Sequence, residues 1–282
     1  RRVRTIISTR KITRAQELVA TSRIAKAQER LEASLPYAEA ITDVLTALAS
    51  HANIDHPLIS PRPMVRRAGV LVITSDRGLA GAYNASVIRT AEQLIARLTE
   101  DRKQVALYVV GRKGTAYYRF RGRPIEASWT GFSGQPTFAD ARRIGESLLA
   151  AFVASGEAPG QSGAVSSEKF GADGLNGVDE LHVVFTHFQN LMTQSPVANF
   201  LAPLYVEEKE AAPGHLPAYE FEPDPDELLA TLLPKYINTR VYAALLDSAA
   251  SEWAIRRRTC KAATDNAEEL ITSLTRQMNT AR

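Results

Sequence analysis

From Tyr242 onward, Leu246, Ala249, Trp253, Arg256, Cys260, Ala263, Ala267, Leu270, Leu274 and Gln277 follow one another at steps of four and three, and only Arg256 and Gln277 are polar. A 3.5-residue repeat held over this length, without glycine or proline, predicts a coiled-coil helix. The first 50 residues also lack glycine, carry Pro36 as their one proline, and read as helix. Ile12, Ala15, Val19 and Ser22 fall on one predicted face, widened by Leu18 and Ala25. Small side chains there would let a partner helix come close. The terminal helices are therefore expected to pair antiparallel, forming a rod with a globular body inserted between them.

Inside the chain the period changes. Residues 69–74 (GVLVIT), 104–110 (QVALYVV) and 181–187 (ELHVVFT) are short apolar runs rich in β-formers, which predicts buried strands. Helical spacing at about 85–100 and 137–154 separates them, so a βαβ sheet covered by helices is expected. Residues 156–177 hold six glycines and little that could be buried, and read as a flexible loop. In EPDPDELLATLL, Asp224 is the expected N-cap and Pro225 the first helical residue, while Pro234 either kinks this helix or begins the long one. The division that follows is a helix over 1–60, a body over 66–206, an acidic linker over 207–224 and a helix over 225–282.

Charge sharpens the picture more than composition does. Nine basic residues against Glu17 and Glu29 give residues 1–30 a charge near +7, and the sign reverses between Glu207 and Glu227. Such segregation points to an electrostatic partner. With no aromatic stacking platform and no zinc-finger spacing, an acidic protein surface fits better than nucleic acid. At 45% hydrophobic and 23% charged, the chain is not a disordered one. No apolar run is long enough to cross a membrane, and the charged first thirty residues are no signal peptide. The single cysteine, Cys260, fits a reducing, cytoplasmic setting and reads as a seam residue rather than a reactive thiol. A start at Arg1 and an end within a helical pattern lead us to expect a longer chain at both ends.

The candidate chemistry is soon exhausted. TSDRGLAGAYN (74–84) lies between a strand and a helix, where glycines often cradle phosphate, yet it has neither G-x-G-x-x-G nor G-x-x-x-x-G-K-[ST]. GRKGT at Gly111 also falls short, and no H-E-x-x-H or G-x-S-x-G is present. Ser75, Asp76 and Arg77 have no base nearby in sequence. No catalytic, cofactor-binding or metal-binding residue is assigned.

KITRAQELVATSRIAKAQ (11–28), TSDRGLAGAYN (74–84), FEPDPDELLATLLPKYI (221–237) and SEWAIRRRTCKAATDNAEELI (251–271) together resemble, in order and spacing, the signature regions of the gamma subunit of rotary ATP synthases. The resemblance implies an α/β fold, in which an antiparallel coiled coil of the terminal helices carries an inserted Rossmann-like domain that binds no nucleotide. It implies a non-catalytic rotor shaft at the cytoplasmic face of the cell membrane, coupling proton-driven turning of the c ring to conformational change in the beta subunits. Its partners would be alpha, beta, epsilon and the c ring. Ala80 stands where the family usually has Cys, and Cys260 where it commonly has Met.

Carried onto this chain, the resemblance makes Lys11, Arg14, Arg23, Ile24, Lys26, Arg256, Arg257 and Lys261 the expected contacts to beta and alpha. Gly78, Gly81, Tyr83, Leu204 and Tyr205 become the expected contacts to the c ring and epsilon, with Gly78 and Gly81 at the foot of the shaft. The loop through Gly156, Gly163, Lys169 and Gly177 is either a passive insertion or a regulatory element. Two other readings stay open: a nucleotide-dependent Rossmann enzyme, which would bind ATP or NAD at micromolar levels, and a static coiled-coil scaffold, which would not rotate.

Overall fold

A computed structural model describes residues 2–51, 65–154, 177–204 and 225–281. Helix α1 (Arg2–His51) runs through Pro36, and α5 (Pro225–Ala281) runs through Pro234 without ending there. At 1.5 Å per residue, these helices are roughly 75 and 85 Å long. They are antiparallel: Thr13 Oγ1 lies 2.8 Å from Thr264 Oγ1, Arg10 pairs with Glu268 at 3.8 Å, and Ile41 shares a core with Ile237.

The seam of this pair differs from the one the spacing predicts. On α1 it passes through Ala20, Ile24, Ala27, Leu31, Ser34, Ala38, Ile41 and Leu45, whereas Ile12, Leu18 and Val19 are 58%, 58% and 45% exposed. On α5 the predicted register holds to Cys260; beyond it Ala267 stays in the seam, but Thr264 is buried in place of Ala263 and Ile271 turns in in place of Leu270. A helix with 3.6 residues per turn drifts by about 20° per heptad against a strict 3.5 repeat, so a neighbouring residue takes over the seam.

The body is a five-stranded sheet in the order β3-β2-β1-β4-β5. Strands β1 (Arg67–Ile73), β2 (Gln104–Val110), β3 (Ala127–Trp129) and β4 (Glu180–Phe188) are parallel, and β5 (Gln194–Ala202) returns antiparallel to β4. Because alternate strand residues point to opposite faces, Val70, Val72, Leu107 and Val109 pack against α2 (Tyr83–Glu100) and Tyr118 of α3 (Arg112–Phe120). Leu71, Ile73, Tyr108 and Val110 share the opposite core with α4 (Phe138–Ala154). Ile41 and Leu45 of α1 join that second core, as do Leu233, Ile237, Val241 and Leu245 of α5. The rod is thus one layer of the body itself.

Several expected site residues lie elsewhere than their roles require. Gly177 is buried at the entry to β4, with φ +59° and its carbonyl accepting from Arg67, so it anchors the body rather than belonging to a loose loop. Gly156, Gly163, Lys169, Tyr205 and the acidic linker lie outside the described residues.

Candidate functional site

Among the described residues, the densest set of polar contacts between rod and body lies where the C-terminal ends of the parallel strands meet α5. Asp247 accepts the Phe188 N–H at 3.1 Å and lies 3.2 Å from His187 Nδ1. Ser251 Oγ donates to the Thr186 carbonyl at 3.1 Å, and Trp253 Nε1 to Gly134 O at 2.8 Å. Arg256 donates to Gly78 O from Nη2 at 3.2 Å and from Nε at 3.3 Å, and Arg258 donates to Met192 O at 2.8 Å. Three turns of one helix therefore hold the loops after β1, β3 and β4 by their backbone. Each bond is worth only about 0.5–1.5 kcal/mol, but together they tie the loops to the rod at several points.

The loops are also tied to one another. Asp76 accepts N–H groups from Arg112 at 3.1 Å, Gly131 at 2.8 Å and Ser133 at 3.0 Å, which joins the segments following β1, β2 and β3. Ser75 is engaged with Asn84 and Arg77 O. The residues that could suggest chemistry in TSDRGLAGAYN are thus committed to loop structure. Gly81 has φ +51°, and a Cβ there would meet Thr259 Oγ1 at 2.7 Å, so glycine is needed for this close approach to α5.

At the centre is a buried ion pair. Glu252 and Arg256, each 2% exposed in the side chain, are 2.6 Å apart, and the guanidinium lies 4.6 Å over the Trp253 ring. Burial pushes the Glu252 carboxyl up, against the pull of Arg256. Burial likewise raises Tyr83, which is 2% exposed and has Ser248, Thr186, Glu252 and Arg256 around it. The sheet order reverses between β1 and β4, and open α/β sheets bind ligands beyond the strand ends at such a point. Here Tyr83, Ser248, Ser251, Glu252 and Arg256 fill it with the chain's own atoms. The nucleotide-enzyme reading has no crevice left at that place.

This geometry corrects three expected contacts. Ile24 is 3% exposed and packs with Ala250 and Trp253, because it belongs to the seam. Arg256 is enclosed in the joint instead of facing outward, and Tyr83 lies beneath α5 instead of on a surface. The four described residues among those assigned to the foot also do not form one patch. Gly78, Gly81 and Tyr83 follow the C-terminal end of β1, while Leu204 follows β5, which runs the other way. With strands of 7–9 residues, the sheet separates them by about 25 Å. Of the remaining cations, Lys11 and Lys26 are exposed, Arg23 and Arg257 half-buried, Arg14 pairs with Glu17 at 2.9 Å, and Lys261 with Asp265 at 3.2 Å. Asp247, Ser251, Glu252 and Arg258 went unassigned from sequence, although Arg256 as a charge in an apolar seam was a signal of the joint.

The whole chain, residues 1–282, matches the family described as ATP synthase. It is 62% identical over 282 residues to the ATP synthase gamma chain of Salinispora arenicola, covering all of this chain and 89% of that one. This chain belongs to the ATP synthase gamma-chain family. The gamma chain of Mycolicibacterium smegmatis is 53% identical over 284 residues, with 100% of this chain and 90% of the relative covered. Two solved structures share the fold. The central stalk and c-ring structure of the Tetrahymena thermophila mitochondrial ATP synthase matches with a TM-score of 0.60, 22% identity, and 89% and 99% of the two chains covered. The rotor of the Euglena gracilis enzyme matches at 0.55 and 13% identity, covering 99% and 97%. No helix among the described residues of this gamma chain is long and apolar enough to cross a membrane.

Proposed function

We propose that this chain is the central rotor shaft of a rotary ATP synthase, turning with the c ring and forcing the catalytic beta subunits through their conformational cycle. The observation that carries this reading is that α5 is both a strand of the rod and a layer of the body's core, latched to the loops of the sheet by Asp247, Ser251, Trp253, Arg256 and Arg258. Torque applied to the body therefore reaches the rod through a packed core and a set of hydrogen bonds, with no hinge between. The chain does no chemistry itself. Filling of the strand-end crevice and the engagement of Asp76 by three backbone amides support that.

The exposed Lys11 and Lys26, with Arg14, Arg23, Arg257 and Lys261, press on the alpha and beta subunits. Surface ion pairs worth about 0–1 kcal/mol each allow such contacts to exchange as the shaft turns. Leu204, at the end of the sheet away from the joint, meets the c ring and epsilon, and so does Tyr205, which lies outside the described residues. The complex lies at the cytoplasmic face of the cell membrane, and this chain reaches that membrane only through its partners.

Met192 is 75% exposed and Cys260 is buried, so a cysteine placed at 192 gives one accessible label. In an immobilised head of alpha, beta and this chain, a probe at 192 turns in one direction when ATP is added. A head that hydrolyses ATP while the probe stays still overturns the shaft reading in favour of a static scaffold.

A further inference from the structure

We propose that the outward face of α3 docks an acidic protein surface, with Phe120 inserted in an apolar slot between carboxylates that meet the flanking arginines. Residues 112–125, RKGTAYYRFRGRPI, carry Arg112, Lys113, Arg119, Arg121 and Arg123 and no acidic residue. Arg112, Lys113, Ala116, Arg119 and Phe120 recur at helical spacing and are all exposed, whereas Gly114, Thr115 and Tyr118 are buried. At 91%, Phe120 is the most exposed large apolar side chain among the described residues. A lone exposed apolar residue would mean little. Here it stands among arginines, and aromatic and arginine side chains are the ones that protein interfaces favour.

The helix by itself explains neither feature. Cations favour a helix C-terminus and disfavour an N-terminus, so Arg119 suits the last turn, but Arg112 and Lys113 occupy the first, where no acidic residue balances them. Nor is the helix end loose. Gly122, at φ +65°, closes it with a left-handed cap, in which its N–H donates to Arg119 O and that of Arg123 to Tyr118 O, both at 3.0 Å. Phe120 is thus held outward on a fixed backbone. Arg123 pairs with Glu92 at 3.4 Å, Arg112 lies 3.9 Å from Asp76, and Arg121 sits 5.4 Å over the Tyr117 ring. Lys113 and Arg119 are left pointing their charge at the surroundings.

The place of this face selects the partner. Helix α3 links the parallel strands β2 and β3, so it runs back along the sheet, and it packs with α2 on the side opposite the rod. Its outer face therefore looks sideways, away from the rod, and is separate from the cations of α1 and α5 assigned to the alpha and beta subunits. A membrane reached along the rod would lie edge-on to it, whereas a protein lying against the flank of the body covers it broadside. Nucleic acid needs a longer cationic track than a helix of 9 residues, roughly 14 Å, provides. Carboxylates meet arginines in paired, charge-assisted hydrogen bonds, and an apolar slot takes the ring.

The test replaces Phe120 by the photoreactive p-benzoyl-phenylalanine in the complex assembled in native membranes, with the products identified by mass spectrometry. A crosslink to another subunit, on a peptide bearing Asp or Glu, is expected. Yield is counted per chain co-purified with alpha and beta, so that only folded, assembled chain is scored. On that scale it falls about tenfold when Arg119→Gln and Arg121→Gln together remove the flanking charge. Adducts with phospholipid only, with this chain only, or with nothing overturn the proposal. A crosslink to another subunit whose yield is unchanged by loss of both arginines overturns the acidic character of the partner.

Discussion

Replacing Arg256 by Ala tests the joint most directly. The change removes the partner of a carboxylate that is itself 2% exposed, two hydrogen bonds to Gly78 O, and the stacked cation over Trp253. Leaving one member of a buried pair uncompensated costs about 3–5 kcal/mol, a large share of the roughly 5–15 kcal/mol by which a domain is stable. The sign of the pH dependence follows. Without the guanidinium, burial acts on Glu252 against only the hydrogen bond from Ser133, so its folded pKa rises further above the ordinary 4.5. Between 4.5 and that raised value the folded chain holds a proton that the unfolded chain has released, and stability falls as pH rises through the window. The variant is thus least stable above the window and recovers on acidification. Replacing Glu252 by Gln in the same chain, with Met at 256, removes the stranded charge and recovers most of the loss, to within about 1–2 kcal/mol. Urea titration followed by tryptophan fluorescence reports this well, because Trp253 is one of only 2 tryptophans and lies under the guanidinium. A loss below about 1 kcal/mol for Arg256→Ala, or a larger defect at low pH than at high, would refute the buried pair.

Three further outcomes are expected. Ala267→Glu, at a position 5% exposed, costs about 1–3 kcal/mol and lowers coupled ATP synthesis in membrane vesicles, whereas Leu270→Glu, at a position 52% exposed, stays within about 0.5 kcal/mol of the parent; equal effects would place the seam elsewhere. Thr13→Val and Thr264→Val each break the 2.8 Å pair but leave the other hydroxyl bonded to its own helix, at Cys260 O (2.9 Å) or Arg10 O (3.1 Å), so each costs about 0.5–1.5 kcal/mol and the double variant costs less than the sum of the two, as a denaturation cycle will show. Deleting 158–175 removes no described strand or helix and, if the loop brakes the rotor, raises ATP hydrolysis more than it alters synthesis; unchanged rates in vesicles mean that the insertion is passive.

The elements with strong periodicity were legible in the sequence: α1, α2, α4, α5, β1, β2 and β4 all follow from apolar spacing. Those missed are short or interrupted. β3 has only 3 residues, α3 spans 9 with Gly114 inside it, and β5 contains Pro196, which an edge strand tolerates because one side of its backbone needs no partner. Local pattern is weak in all three, and only pairing with β2 and β4, or packing on Tyr118, decides them.

By itself the sequence determined that two long helices flank an α/β body, that the glycines after β1 hold no nucleotide fingerprint, and which family the blocks resemble. Hydrophobic period and backbone chemistry are properties of neighbouring residues, so they can be read along the chain. Tertiary structure alone decided which side of each helix is inside. Ile24 and Arg256 are both expected contacts to beta and alpha from the resemblance, yet both are buried: on α1 a rotation by a few tens of degrees exchanges seam for flank, and at Arg256, a seam position by spacing, the loops of the body close over the side chain. The joint was equally out of reach. Asp76, Thr186, Ser248, Glu252 and Arg256 come together from three segments that lie 62 or more residues apart, and their placement depends on α5 closing the strand ends, a contact that no local spacing encodes.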